Sequence, residues 1–302
     1  MVSDVLSLKS NLDEVLSFLG KTKDDLARDV NIISKWLQTQ NHLPELPSFV
    51  MIQYFLINNK FSTERTKQAL DMYYSVRSLM PKIFRNSGPT SPAMKYMYDN
   101  VSIAILPHMT PNLHRVLIAK ILPTLEEFNS NSATTAATHF YEIKIWEDNS
   151  VGNLILIDYR DLRISHVPKF TRKMLKQVGF LFEELWASDM KEMHIINAPN
   201  YAESLITLYR KYLHKGLREK IYVHKAIEDL FKYIPQEILP REYGGKEKPL
   251  FELSSMYQNL LKQYQHRFDK LDNMVVQENL RPSTKNNDIL GYYGNYMQID
   301  VN

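Results

Sequence analysis

Apolar residues recur at helical spacing through residues 1–85. Leu26, Val30, Ile33 and Leu37 fall on one stripe that Trp36 widens, and Phe49, Ile52, Phe55 and Leu56 form a second. Ser62 offers an N-cap to a third helix, in which Leu70, Tyr73 and Val76 run on to Pro81. Arg65 stands where a capping box would place Glu. No alternation of period two interrupts this stretch, so it predicts a small helical bundle. The segment "RNSGPTSP" (85–92) follows, rich in residues that favour turns, and serves as an interdomain linker or a long loop.

The pattern then changes. "RVLIAKIL" (115–122), "NLILIDY" (153–159), "MHIINA" (193–198) and "KIYVH" (220–224) read as strands. "SATTAATHFYEIKIW" (132–146), "KFTRKMLKQVGFLFEELW" (169–186) and residues 200–214 read as helices, the second carrying Phe170, Met174, Val178, Leu181, Phe182 and Leu185 on one side. Apolar strands separated by helices imply a mostly parallel sheet with helical crossovers, an α/β fold. The chain divides into a helical unit (1–88), an α/β unit (89–250) and a C-terminal part (251–302) made of a helix near 251–270 and an irregular tail.

One helix stands out. At about 100° per residue, Tyr201, Leu205, Leu208 and Tyr212 fall together, with Ala202, Ile206, Tyr209 and Leu213 beside them. The arc spans about 160°, wider than the roughly 100° stripe of a surface helix. It suits a buried core helix or a lid over an apolar ligand. Arg210, Lys211, Lys215, Arg218 and Lys220 follow with only Glu219 among them, either as a solvated helix end or as a patch for anionic headgroups.

Composition narrows the function classes. In 302 residues, 37 basic against 34 acidic side chains leave a net charge of +3, which argues against a nucleic-acid coat. Cysteine is absent, which excludes disulfides and thiolate chemistry. No signal peptide pattern and no apolar run near the roughly 20 residues of a membrane span is visible. Phosphate-loop, dinucleotide and nucleophile-elbow motifs are all missing. His194 and His224 can be sheet neighbours, read as hydrogen-bonded core residues rather than metal ligands. Asp158 sits at a strand end, where a turn or cap role outweighs a catalytic one. No catalytic constellation, metal site or cofactor is expected.

"MHIINAP" with "LREKIYVH" and "IPQEILPREYGG" (234–245) resembles the CRAL-TRIO (Sec14-like) lipid-binding family in order and spacing, its closing "LPREYGG" matching the family pattern throughout. "HRVLIAKILP" looks like the family's first sheet strand. "VGNLILIDYRDLRISH" looks like its Asp-bearing strand, with Asp161 where glycine is usual, and "FSTERTKQALDMYYSVRSLMP" like its N-terminal helical unit. The closest likeness is to the α-tocopherol-transfer and retinaldehyde-binding branch, with its many insect members, over about residues 25–250. Trp186-Ala187 replaces the family's aromatic-Pro pair, and "IQYFLINN" its "LLRFLR".

The resemblance implies a five-stranded sheet roofed by helices around a closed hydrophobic cavity, with residues 199–220 as a mobile gate. It implies a cytoplasmic monomer, transiently at anionic membranes, that binds and transfers a lipophilic molecule such as a tocopherol, retinoid, carotenoid or other terpenoid. The alternative is a phosphoinositide- or protein-binding regulatory module without transport. Cavity walls are then expected from Ile155, Ile157, Val178, Leu181, Phe182, Trp186, Met193, Ile195, Leu205, Ile206, Tyr209 and Leu213, with Thr135, His139 and Tyr141 as polar contacts. In the branch's basic cleft, Lys191 and Lys220 match cationic positions while Asp189 and Gly216 do not, and Lys215 and Arg218 stand close by as substitutes.

Overall fold

A computed structural model describes residues 4–182, 190–213 and 215–282. After a short helix α1 (Leu12–Phe18), Thr22 opens α2 (Lys23–Leu37) with a reciprocal capping box to Asp25. Helix α3 (Phe49–Asn58) is capped by Ser48 and buries every residue from Met51 to Asn58. A helix apolar all round belongs inside, and α3 packs on α2, on α4 (Thr63–Leu79) and on the later α7 (Ser130–Glu147). Ser62 caps α4 through the Arg65 amide, as expected. Helices α5 (Pro81–Phe84) and α6 (Pro92–Asn100), each with proline in its first turn, flank the turn-rich 85–91 segment.

The sheet has five strands in the order of the chain: β1 (Val101–Ile105), β2 (His114–Ile121), β3 (Gly152–Asp158), β4 (Met190–Ile196) and β5 (Ile221–Val223). β1 is antiparallel to β2, and the other pairs are parallel. "HRVLIAKILP" is therefore the second strand, not the first. The missed strand, "VSIAI", follows directly on α6 and is buried at every position, so it shows neither alternation nor a turn before it. Arg115, fully buried at the start of β2, binds Asp148 at 2.6 Å and donates to the carbonyls of Leu106, Pro107 and Lys9, clamping the N-terminal segment to the sheet.

Two expected helices begin later than their apolar patterns. The 169–186 stretch begins as a 3₁₀ turn (Ile164–Lys169) containing Pro168, and Thr171 then caps α8 (Arg172–Phe180). Residues 200–214 begin as a 3₁₀ turn (Asn200–Ala202) and continue as α9 (Glu203–Tyr212), before the short α10 (Lys215–Arg218). The C-terminal helix near 251–270 divides at Tyr264 into α11 (Leu250–Gln263), which packs on β1, and α12 (Gln265–Asp272).

Candidate functional site

Strand register sorts the sheet into two faces. One carries the rows Ile105–Leu117–Ile155–Met193–Ile221 and Ile103–Ala119–Ile157–Ile195–Val223. Ile155, Ile157, Met193 and Ile195, all chosen from sequence, thus share one face. Lys144 of α7 hydrogen-bonds Asn153, which has the same parity, so α7 lies over this face.

Helix α9 meets the residue after β3 through the Tyr209 hydroxyl and the first residue of β5 through Arg210, which donates to the Ile221 carbonyl at 3.2 Å. Its neighbour is α8, and Leu205, Ile206, Tyr209 and Leu213 are all buried. Glu203, Ser204, Thr207, Arg210 and Lys211 face water. Two tyrosines tie α9 and the 3₁₀ turn before it to the β3–α8 connection: the Tyr201 hydroxyl donates to the Leu162 carbonyl, and the Tyr209 hydroxyl bonds that of Tyr159. On α8, Val178 is half-buried, and Leu181 and Phe182 beyond its end are buried. Phe182 approaches Tyr141 of α7 with ring centroids 5.8 Å apart. The structure therefore brings Tyr141, Phe182 and the sheet and α9 residues to one region. Trp186 lies outside the described residues.

Thr135 and His139 are placed elsewhere. Thr135 donates to the Ile83 carbonyl at 2.9 Å. His139 Nδ1 pairs with the Tyr98 hydroxyl and Nε2 with the Ser87 carbonyl, both at 2.7 Å. These two side chains fasten α7 to the 83–98 segment, and burial depresses the imidazole pKa to about 4. Helical spacing alone could not distinguish the face of α7 that meets α8 from the face that meets this segment.

Behind the sheet lies a polar hub that explains the motif residues. Asp158 Oδ1 accepts from the Arg160 amide at 3.0 Å and from Asn197 Nδ2 at 2.9 Å, and Oδ2 accepts from the Tyr243 hydroxyl at 3.0 Å. One fully buried carboxylate thus joins the ends of β3 and β4 to the "LPREYGG" segment. Asn197 has φ 53°, a left-handed conformation that asparagine tolerates, and Pro199 leads into the next turn. Gly244 has φ 82°, and a Cβ at Gly245 would lie 1.8 Å from the Leu239 carbonyl oxygen, so both glycines are required.

His194 and His224 are indeed neighbours. His194 Nδ1 and His224 Nε2 are 3.0 Å apart, His194 Nε2 reaches Glu192 at 3.1 Å, and both rings pack on Tyr233. Burial, then the adjacent His224, lowers the His194 pKa to about 3. Among the described residues no group of three or more His, Asp or Glu side chains could hold a metal ion.

The basic residues lie around α9 and the β4–β5 edge. Arg210, Lys211, Arg218 and Lys220 are exposed. Arg172 and Lys211 both approach the Tyr212 ring at 5.4 Å. Lys191 is half-buried and crosses Gly152, which has no Cβ to obstruct it. Lys220 lies near enough to Glu192 to oppose the burial that raises that carboxyl's pKa. The side chain of Lys215 and residue Asp189 lie outside the described residues.

A helical unit followed by a five-stranded, mostly parallel sheet, with α9 tethered to it by tyrosines, defines an α/β protein. Residues 100–245 match the CRAL/TRIO domain, and residues 22–94 match the family described as "Pinta-like, UBA domain". Residues 100–245 are therefore a CRAL/TRIO domain. It is 27% identical over 195 residues to human "Alpha-tocopherol transfer protein-like", a match spanning 63% of this chain and 56% of that protein. The chain therefore spans little more than half the length of that relative. Rat "Clavesin-1" is 22% identical over 248 residues, 80% of this chain and 70% of the relative. The crystal structure of Sfh5 aligns with a TM-score of 0.50 at 13% identity, over 86% of this chain and 99% of that one, a likeness of fold.

Proposed function

We propose that this protein binds one lipophilic molecule between α7, α8, the sheet and α9, and moves it between membranes. The carrying observation is the two-sidedness of α9. Leu205, Ile206, Tyr209 and Leu213 are buried, while Arg210 and Lys211 on the same helix are exposed. Such a helix can exchange a ligand-facing role for a membrane-facing one without exposing charge to hydrocarbon. Ile155, Ile157, Met193, Ile195, Val178, Leu181, Phe182 and Tyr141 form the rest of the proposed wall, and Lys191, Lys215, Arg218 and Lys220 its attraction to anionic headgroups.

The magnitudes suit a carrier. Hiding roughly 500 Å² of a terpenoid-sized ligand gives on the order of 12 kcal/mol at about 25 cal/mol per Å². Association and ordering remove several kcal/mol of that, leaving tight but reversible binding. Release follows when the apolar side of α9 finds membrane instead of ligand, a shift of populations that anionic lipid biases. No covalent step is required. Among the described residues no helix is long and apolar enough to cross a membrane. The test is transfer of a fluorescent tocopherol analogue between donor and acceptor vesicles. Catalytic amounts of protein should accelerate it, whereas vesicle binding without acceleration would favour a regulatory module.

A further inference from the structure

Two phenols meet where α9 reaches the residue after β3. Tyr159 extends β3 past Asp158, with the parity of Ile155 and Ile157, and Tyr209 comes from α9. Their hydroxyls hydrogen-bond to each other, and the residues are only 2% and 5% exposed. The surroundings are apolar. Tyr209 lies edge-on to Phe170 at 6.3 Å, and Phe170 stacks on Phe128 at 4.3 Å. Burial raises both phenol pKa values, so both stay protonated at neutral pH.

Two phenols carry two donatable protons, and their mutual bond uses one. Among the described residues, no carbonyl or other side chain accepts the second. Apolar closure of the helix on the sheet would be served by phenylalanine at both positions, because a buried hydroxyl costs free energy unless it is bonded. A retained pair with one proton to spare, between a helix and a strand end, is an arrangement for receiving an acceptor atom. Strand ends of this kind are where α/β folds bind ligands.

We propose that the Tyr159–Tyr209 pair is the headgroup clasp of the site, taking the single uncharged oxygen, hydroxyl or carbonyl, of a lipid that is otherwise hydrocarbon. This rests on the lipid-binding reading above. The ligand oxygen accepts the spare proton while the phenols remain bonded to each other, so the gate helix and the sheet hold one head between them. No cation contacts either hydroxyl among the described residues. A carboxylate or phosphate head would therefore enter an apolar region uncompensated, which sets the selectivity against it.

The full chain is loaded from phosphatidylcholine vesicles with oleyl alcohol, 1-octadecene or oleate, and the bound lipid is counted by native mass spectrometry. The wild type should take the alcohol in preference to oleate. The double variant Tyr159→Phe with Tyr209→Phe should still bind octadecene, and should lower the alcohol-to-octadecene ratio about tenfold, the worth of a neutral hydrogen bond. Each single variant keeps one phenol with a free proton, so it should retain most of the alcohol preference that the double variant loses. An unchanged ratio in the double variant, or a wild type preferring oleate, overturns the clasp while leaving lipid binding intact. A wild type that takes up none of the three overturns both.

Discussion

At the residue scale, the family signature reads as a set of physical necessities. Asp158 has three donors to satisfy, Asn197 a left-handed backbone to hold, and Gly245 a carbonyl pressed against its Cα. Asp158 was legible only as a strand-end carboxylate; its partners Asn197 and Tyr243 come from distant segments, and only tertiary packing unites them. Gly245→Ala should destabilise the protein by about 3 kcal/mol or more, because backbone cannot yield as a side-chain tip can. Gly88→Ala, which meets only the end of Gln265, should change the urea midpoint little. The buried histidines make a pH prediction. His139 and His194 are depressed to about 4 and about 3, below the unfolded value near 6.5. The unfolded chain then binds more protons, so their contribution is fully present above about pH 6.5 and is lost as pH falls toward 4. Each proton contributes a slope approaching about 1.4 kcal/mol per pH unit. Urea titrations at pH 7 and pH 5 should show this loss; equal midpoints would contradict the depressed values.

At the element scale, the four parallel strands and the long helices were readable because apolar runs of strand length alternate with periodic stretches. Boundaries were less so. Pro168 and the Thr171 cap delay α8, and the Asn200–Ala202 turn delays α9, local effects that apolar periodicity does not carry. The apolar arc of residues 200–214 suited a core helix as well as a lid; what it covers is set by the register of β3 and β4, to which the periodicity of one helix is blind. The charged side of α9 and its sequel carries its own prediction. Each cation near an anionic surface contributes roughly 1 kcal/mol. Arg218→Glu with Lys220→Glu, both exposed, should therefore slow transfer to phosphatidylserine vesicles at least about tenfold. Lipid affinity in solution should change less than about twofold, since neither side chain is buried. Parallel loss of affinity and transfer would refute the division of labour between the two sides.

At the scale of the whole molecule, the helical unit and the sheet are joined through a buried network that no local pattern announced. Arg267 of α12 reaches Glu45 at 2.7 Å, Glu142 of α7 at 3.1 Å and the Tyr73 hydroxyl of α4 at 3.1 Å. The C-terminal helix therefore closes the molecule by bridging segments far apart in sequence. Glu45 keeps Lys270 at 2.6 Å and Glu142 keeps Arg77 at 3.7 Å, so Arg267→Ala should cost about 1.5–3 kcal/mol, the worth of hydrogen bonds to charged groups, and lower the melting temperature accordingly. A melting temperature equal to that of the wild type would show that the bridge contributes nothing. The proposal that one lipid binds between the sheet and α9 is tested most directly by native mass spectrometry of the purified full chain. The expected result is one added lipid mass per protein, removed by organic solvent and identifiable in the extract. A single peak at the mass of the bare chain, unchanged after incubation with lipid vesicles, would contradict it.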